Sequence, residues 1–160
     1  MDEPQIDRER ANQFLSRAID FTHGAATLCG ERDQGWLPSS AMLVAQALEL
    51  LAKRRLLLSG KSMQVLRRPP YGHDLRRLCG AETGLRNEAS EIAAEYLLNP
   101  SPNGVDEGFD FDTHFDALAD AHSAASDYSL RYHQGIRSFA NPNAMTVIVG
   151  EIVRRERMRG

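Results

Sequence analysis

AMLVAQALELLAKRRLLL, residues 41–58, decides the fold. On a helical wheel this stretch is apolar almost all round, and only Gln46, Glu49 and Lys53 form a narrow polar strip. Such a helix is covered on several sides, so it belongs at the centre of a helical bundle. Ser39 or Ser40 caps its start, and it ends at about Ser59, before Gly60. Arg55 falls near the middle of the Val44, Leu48, Leu51 stripe, where an arginine either snorkels past the last turn or meets an acidic partner, and snorkelling is the favoured expectation.

Helical periodicity continues on both sides. Residues 7–29 place Ala11, Phe14, Ala18, Phe21, Ala25 and Leu28 at three- and four-residue steps, with Asp7 as N-cap and Gly30 as C-cap. GKSMQVLRRPPYG (60–72) is a connector, because Pro69 and Pro70 forbid a continuous helix. Helices are predicted at 73–79 and at about 85–98, ended firmly by Asn99-Pro-Ser-Pro-Asn-Gly. An acidic loop over about 99–111 precedes a helix from about 112 to 132, and Pro142 opens a last helix that runs into the basic tail 154–160. TVIV is short and lies in a helical context, so no strand is predicted. The expectation is one all-α domain over 1–160, an antiparallel bundle of about five or six helices.

Composition narrows the class. The 160 residues are 42% hydrophobic and 26% charged, the balance of an ordinary globular chain able to bury a core without disulfides or metal. Two cysteines, Cys29 and Cys79, make no disulfide framework, and the polar, acidic start MDEPQIDRER does not read as a signal peptide. With no apolar run of about 20 residues, the expectation is a cytoplasmic protein without a membrane span.

A net charge of −3 conceals two opposed blocks. Leu50–Arg86 holds nine bases against Asp74 and Glu82, while Asn99–Leu130 holds seven acids and no base. Such blocks attract each other, another subunit, or an anion on the basic side.

Motifs for chemistry are sparse. Asp110, Asp112, His114, Asp116, Asp120 and His122 lie close in sequence, but the wheel puts His122 on the apolar face and Asp112, Asp116 and Asp120 opposite. A core histidine and a solvated acid face fit that pattern, and no metal or cofactor is expected. Both cysteines adjoin a glycine at a predicted helix end and read as buried filler. Gly60-Lys61-Ser62 lacks the upstream glycine and strand of a phosphate loop. What remains is a basic connector (Lys61, Arg67, Arg68) opening onto His73, with Tyr71 beside it and Arg76 and Arg77 one turn on. Histidine moves protons near neutral pH, and arginines hold a phosphodiester.

AQALELLAKRRLLLSG, the basic connector and YGHDLRRL together resemble the second and third helices of HEPN domains (higher eukaryotes and prokaryotes nucleotide-binding). The matching positions are Ala47, Glu49, Lys53, His73, Asp74, Leu75 and Leu78. ANQFLSRAIDFTHGAA and AMTVIVGEIVRR are similar to the family's outer helices, and SLRYH (129–133) to its Arg-Tyr step. The resemblance implies a homodimeric helical bundle. Members are RNA-cleaving toxins, partners of minimal nucleotidyltransferases, or inactive RNA- or nucleotide-binding modules. Active members carry Arg, then His after four to six residues. Here the position six beyond Arg131 is Arg137, and His133 comes too early. The spacing recurs at Arg67 and Arg68 before His73, and at Arg17 before His23.

Three functional expectations follow. The first is a non-catalytic, HEPN-like homodimer that binds RNA, a nucleotide or a protein partner through Lys61, Arg67, Arg68, Arg76 and Arg77, with His73 and Arg131 lining the site. The second is a metal-independent ribonuclease using Arg68 and His73, or Arg131 and His133. The third is a structural interaction protein assembled through its opposed charges.

Overall fold

The structure, a computed structural model, describes residues 7–30, 37–99, 105, 107–123 and 141–160. Seven helices lie among them: α1 (Arg8–Gly30), α2 (Leu37–Leu58), α3 (Met63–Leu66), α4 (Leu75–Ala81), α5 (Thr83–Leu98), α6 (Phe111–Ala121) and α7 (Pro142–Arg159). There is no strand among the described residues, and the all-α bundle is the observed fold class.

The apolar stretch at 41–58 does what its wheel requires. As part of α2 it touches α1, α4, α6 and α7. Val44, Leu48, Leu51, Leu56 and Leu57 are buried within one apolar cluster that collects side chains from all seven helices. Truncating a fully buried leucine such as Leu51 to Ala removes transfer free energy and leaves a cavity, together about 2–5 kcal/mol. α1 lays Ala11, Phe14, Ala18 and Ala25 on this core, and Phe21 packs half-buried beside them. α7 contributes Ala144, Met145, Ile148, Val149 and Ile152.

The connector contains one helical turn that periodicity did not show. α3 forms because the Ser62 side chain caps it, accepting from Val65 N–H, and it buries Leu66. The chain then turns through Gly72, whose φ of +43° is a left-handed conformation that strains any residue with a Cβ. That turn delivers His73, and Asp74 caps α4 by accepting from Arg77 N–H.

Two expectations change. Arg55 does not snorkel: it pairs with Glu82, Glu88 and Glu156 inside the bundle. A buried guanidinium loses its water, and three carboxylates brought by α5, α7 and the cap before α5 replace it. The opposed charge blocks, for their part, meet each other, one of the three ways open to them. Arg76 of α4 bonds Asp116 and Asp120 of α6, and Arg86 of α5 bonds Asp112 and Asp116. The opposed charge blocks thus clasp each other within one chain. The second change is in α6: predicted to run to residue 132, it ends at Ala121 with His122 as its C-cap, and the stretch beyond Ser123, with the SLRYH step, lies outside the described residues.

Candidate anion-binding pocket

Glu49 comes from the middle of α2, where helical spacing aims it at the side of the bundle closed by α3 and the start of α4. It is 2% exposed. Its two carboxylate oxygens serve three partners. Oε1 accepts from Lys53 Nζ at 2.7 Å and faces His73 Nδ1 at 2.9 Å, while Oε2 faces His122 Nε2 at 3.1 Å. Lys53 follows by one helical turn, so that contact is an i, i+4 pair on the strip read from the wheel.

Burial by itself would push the Glu49 carboxyl up from 4.5. The His122 hydrogen bond and the charge and hydrogen bond of Lys53, with a smaller pull from His73, overcome it and hold the group at about 2. Glu49 is therefore ionised at neutral pH and can only accept hydrogen bonds. Each imidazole nitrogen facing it consequently carries the hydrogen.

The two histidines then differ. His122, at the end of α6, is fully buried, and its Nδ1 has no hydrogen-bond partner among the described residues. It matches the core histidine expected from the apolar face of α6. His73 keeps Nδ1–H on Glu49, but its side chain is 54% exposed, and Nε2 takes no hydrogen bond among the described residues. An imidazole fixed by a buried carboxylate with the opposite nitrogen unengaged is set to accept or deliver a proton.

His73, Glu49 and Lys53 form one wall of a cavity of about 370 Å³. α1 supplies the facing wall with Arg10, Phe14, Arg17 and Phe21, and Arg67 and Met63 close the end. The volume is that of a small-ligand site. Four bases (Arg10, Arg17, Lys53 and Arg67) face it with one carboxylate, and Arg10, Arg17 and Arg67 make no ion pair with another described residue. An anion entering here meets cations whose charge is not already neutralised, in a recess that shields it partly from water.

The residues singled out by sequence separate in this geometry. His73 and Arg67 line the cavity. Lys61 sits over the Tyr71 ring at 5.7 Å, an attraction between the cation and the ring face. Arg68 and Arg77 are exposed, with no ion pair to a described residue. Arg76 is committed to Asp116 and Asp120, so a phosphate would have to compete with two carboxylates for it. Arg131 and His133 lie outside the described residues.

Arg10 was missed by the sequence reading, and Arg17 entered it only through its spacing to His23, because the basic block was counted from Leu50 to Arg86. The signal was their seven-residue spacing, which keeps them on one helix face and interleaves them with Phe14 and Phe21. Cys79 is buried, and burial first, then Glu82, push its thiol up to about 12. A thiol held in that form is a poor nucleophile. Compared with models of protein families, with curated proteins and with solved structures, the chain matches none.

Proposed function

We propose that the chain is a HEPN-like module, homodimeric as that resemblance implies, which holds RNA or a nucleotide by phosphate in the pocket between α1 and α2. What carries the reading is the surplus of arginines around Glu49 and His73 that pair with no described carboxylate, in a recess of about 370 Å³. In keeping with the resemblance, two of its matching positions, Lys53 and His73, come within hydrogen-bond distance of a third, Glu49. Arg67, Arg10 and Arg17 position the phosphate, and Lys61, Arg68 and Arg77 extend the basic surface outward. A protein partner of the nucleotidyltransferase type belongs to the same family expectation.

Binding of a fluorescent single-stranded RNA, followed by anisotropy across a salt series, tests this. Affinity should fall steeply with salt, by about 0.7 in the log–log slope for each phosphate contact. Arg67→Glu and Arg17→Glu should each weaken binding about tenfold or more without lowering the melting temperature. Absent or salt-insensitive binding of both RNA and nucleoside monophosphates defeats the proposal.

The hydrogen bond from His73 to Glu49 favours a second reading, metal-independent RNA cleavage. His73 Nε2 would take the 2′-hydroxyl proton as the 2′-oxygen attacks phosphorus. The 5′-oxygen leaves with a proton from water, giving a 2′,3′-cyclic phosphate and a 5′-hydroxyl. Arg67 takes the place that the sequence gave to Arg68. His73→Ala should then abolish cleavage, and Glu49→Gln should lower it with a changed pH profile. Equal cleavage by wild type and His73→Ala would remove this reading and leave the binding one standing.

A further inference from the structure

We infer that the ligand is a single strand of nucleic acid running across the amino end of α1, from the His73 pocket into a second basic pocket on its other side. This rests on the phosphate-binding reading above and adds a second subsite. The second cavity, also about 370 Å³, is lined by Arg8, Asn12, Arg54, Leu58, Arg159 and Gly160, and none of these side chains is acidic.

The two pockets lie back to back because of helical spacing. Arg8 and Arg10 are two residues apart on α1 and so about 200° apart around it, which sends one arginine to each cavity. Lys53 and Arg54, consecutive on α2 and so about 100° apart, also line different cavities. The first turn of α1 is the ridge between the cavities, roughly 10 Å across.

The second pocket has more to it than a patch of surface charge. Arg54 is 5% exposed and gives Nη1 to Glu156, but its Nε is buried with no partner among the described residues. Arg8 is exposed and pairs with no described carboxylate. Arg159, held by Glu88 and Glu156, stands half exposed at the rim. A mononucleotide fills one recess only. A duplex is too wide and stiff to enter either, since it presents its phosphates on a convex outer surface. A flexible single strand can dip into one, cross the ridge and enter the other, as strands do along basic grooves.

The test compares uridine monophosphate with an oligouridylate about ten nucleotides long, by titration of wild type and of Arg8→Glu. Arg8 is the clean site to change: a glutamate in the first turn of α1 suits the positive helix end, and Asp7 still accepts from Arg10 N–H. Two linked subsites should make the oligonucleotide bind about a hundredfold tighter than the monophosphate. Arg8→Glu should lower oligonucleotide affinity about tenfold and flatten its log–log salt slope by about 0.7, leaving the monophosphate unchanged. Arg159→Ala should act in the same direction, with unfolding followed separately because Arg159 also touches Glu88 and Glu156. Equal affinity for the two probes, or oligonucleotide binding indifferent to Arg8→Glu, overturns the second subsite while sparing the His73 pocket. Failure of both probes to bind wild type overturns both proposals.

Discussion

Two ionic clusters grow from consecutive residues of α2, and they are built on opposite balances. Around Arg54 and Arg55 the charges close on themselves: Glu82, Glu88 and Glu156 meet Arg54, Arg55 and Arg159 in a connected, largely buried network. Around Glu49 they do not, since one carboxylate sits among four pocket-lining bases and a half-exposed histidine. The first arrangement fastens α2, α5 and α7 together, and its guanidiniums, already neutralised, offer a ligand only the Arg159 rim and the Nε of Arg54. The second keeps cationic charge in reserve at a cavity, where an incoming anion would neutralise it. The same chemistry thus serves as a joint in one place and as a receptor in the other. Counting acids against bases separates the two, whereas counting arginines alone does not.

The sharpest way to break this contrast is to remove the shared acceptor of the closed network. Glu156→Ala strands Arg54 and Arg55 in the interior without their common carboxylate, which is expected to cost about 3–5 kcal/mol. Urea denaturation should show a midpoint shift of that size. A loss below about 1 kcal/mol would mean that the guanidiniums reach water and that the network is no joint.

Next in size is the acid response of the open cluster. The Glu49 carboxyl titrates near 4.5 when unfolded and at about 2 in the folded chain. A depressed carboxylate contributes stability above its unfolded value and loses it as pH falls through the folded one. Wild type should therefore lose about 3 kcal/mol from this group between roughly pH 5 and pH 2. Glu49→Gln should flatten that part of the stability curve. A curve unchanged in shape would place the acid sensitivity elsewhere, for instance at Glu88, whose carboxyl is also lowered, through Arg55 and Arg159 against the opposing effect of its burial.

The smallest effect belongs to the exposed clasp between α4, α5 and α6. Arg76 bonds Asp116 at 2.8 Å and Asp120 at 2.7 Å in full view of solvent. Arg76→Ala should cost about 0.5 kcal/mol at low salt and almost nothing at high salt. Thermal melts at two ionic strengths would show the difference vanish. A salt-independent loss would instead indicate packing by the arginine stem.

Much of the fold was readable because it is local. The nearly continuous apolar surface of residues 41–58 requires neighbours on several sides, and α1, α4, α6 and α7 supply them. The Pro142 signal likewise marks a true helix start, and the helix predicted from residue 73 begins two residues later, at Leu75, behind Asp74 as its cap. α3 escaped notice because one turn is too short for periodicity, and only the Ser62 cap announces it. Arg55 was misread for a different reason. Glu88 and Glu156 lie 33 and 101 residues away, and no wheel drawn on α2 contains them. The candidate site was half readable. Glu49, Lys53 and His73 stood out through the family resemblance and the basic connector, and Arg67 through charge. Arg10 and Arg17 required knowing which face of α1 turns toward α2.

One consequence reaches beyond this chain. The Glu49 carboxylate joins segments near residues 53, 73 and 122 through bonds of 2.7–3.1 Å. An aspartate is one methylene shorter and could not span all three, and a glutamine would offer one of them a donor where an acceptor is needed. These four positions should therefore drift as a set: wherever descent has altered the acid, both imidazoles and the ammonium ought to be found altered with it.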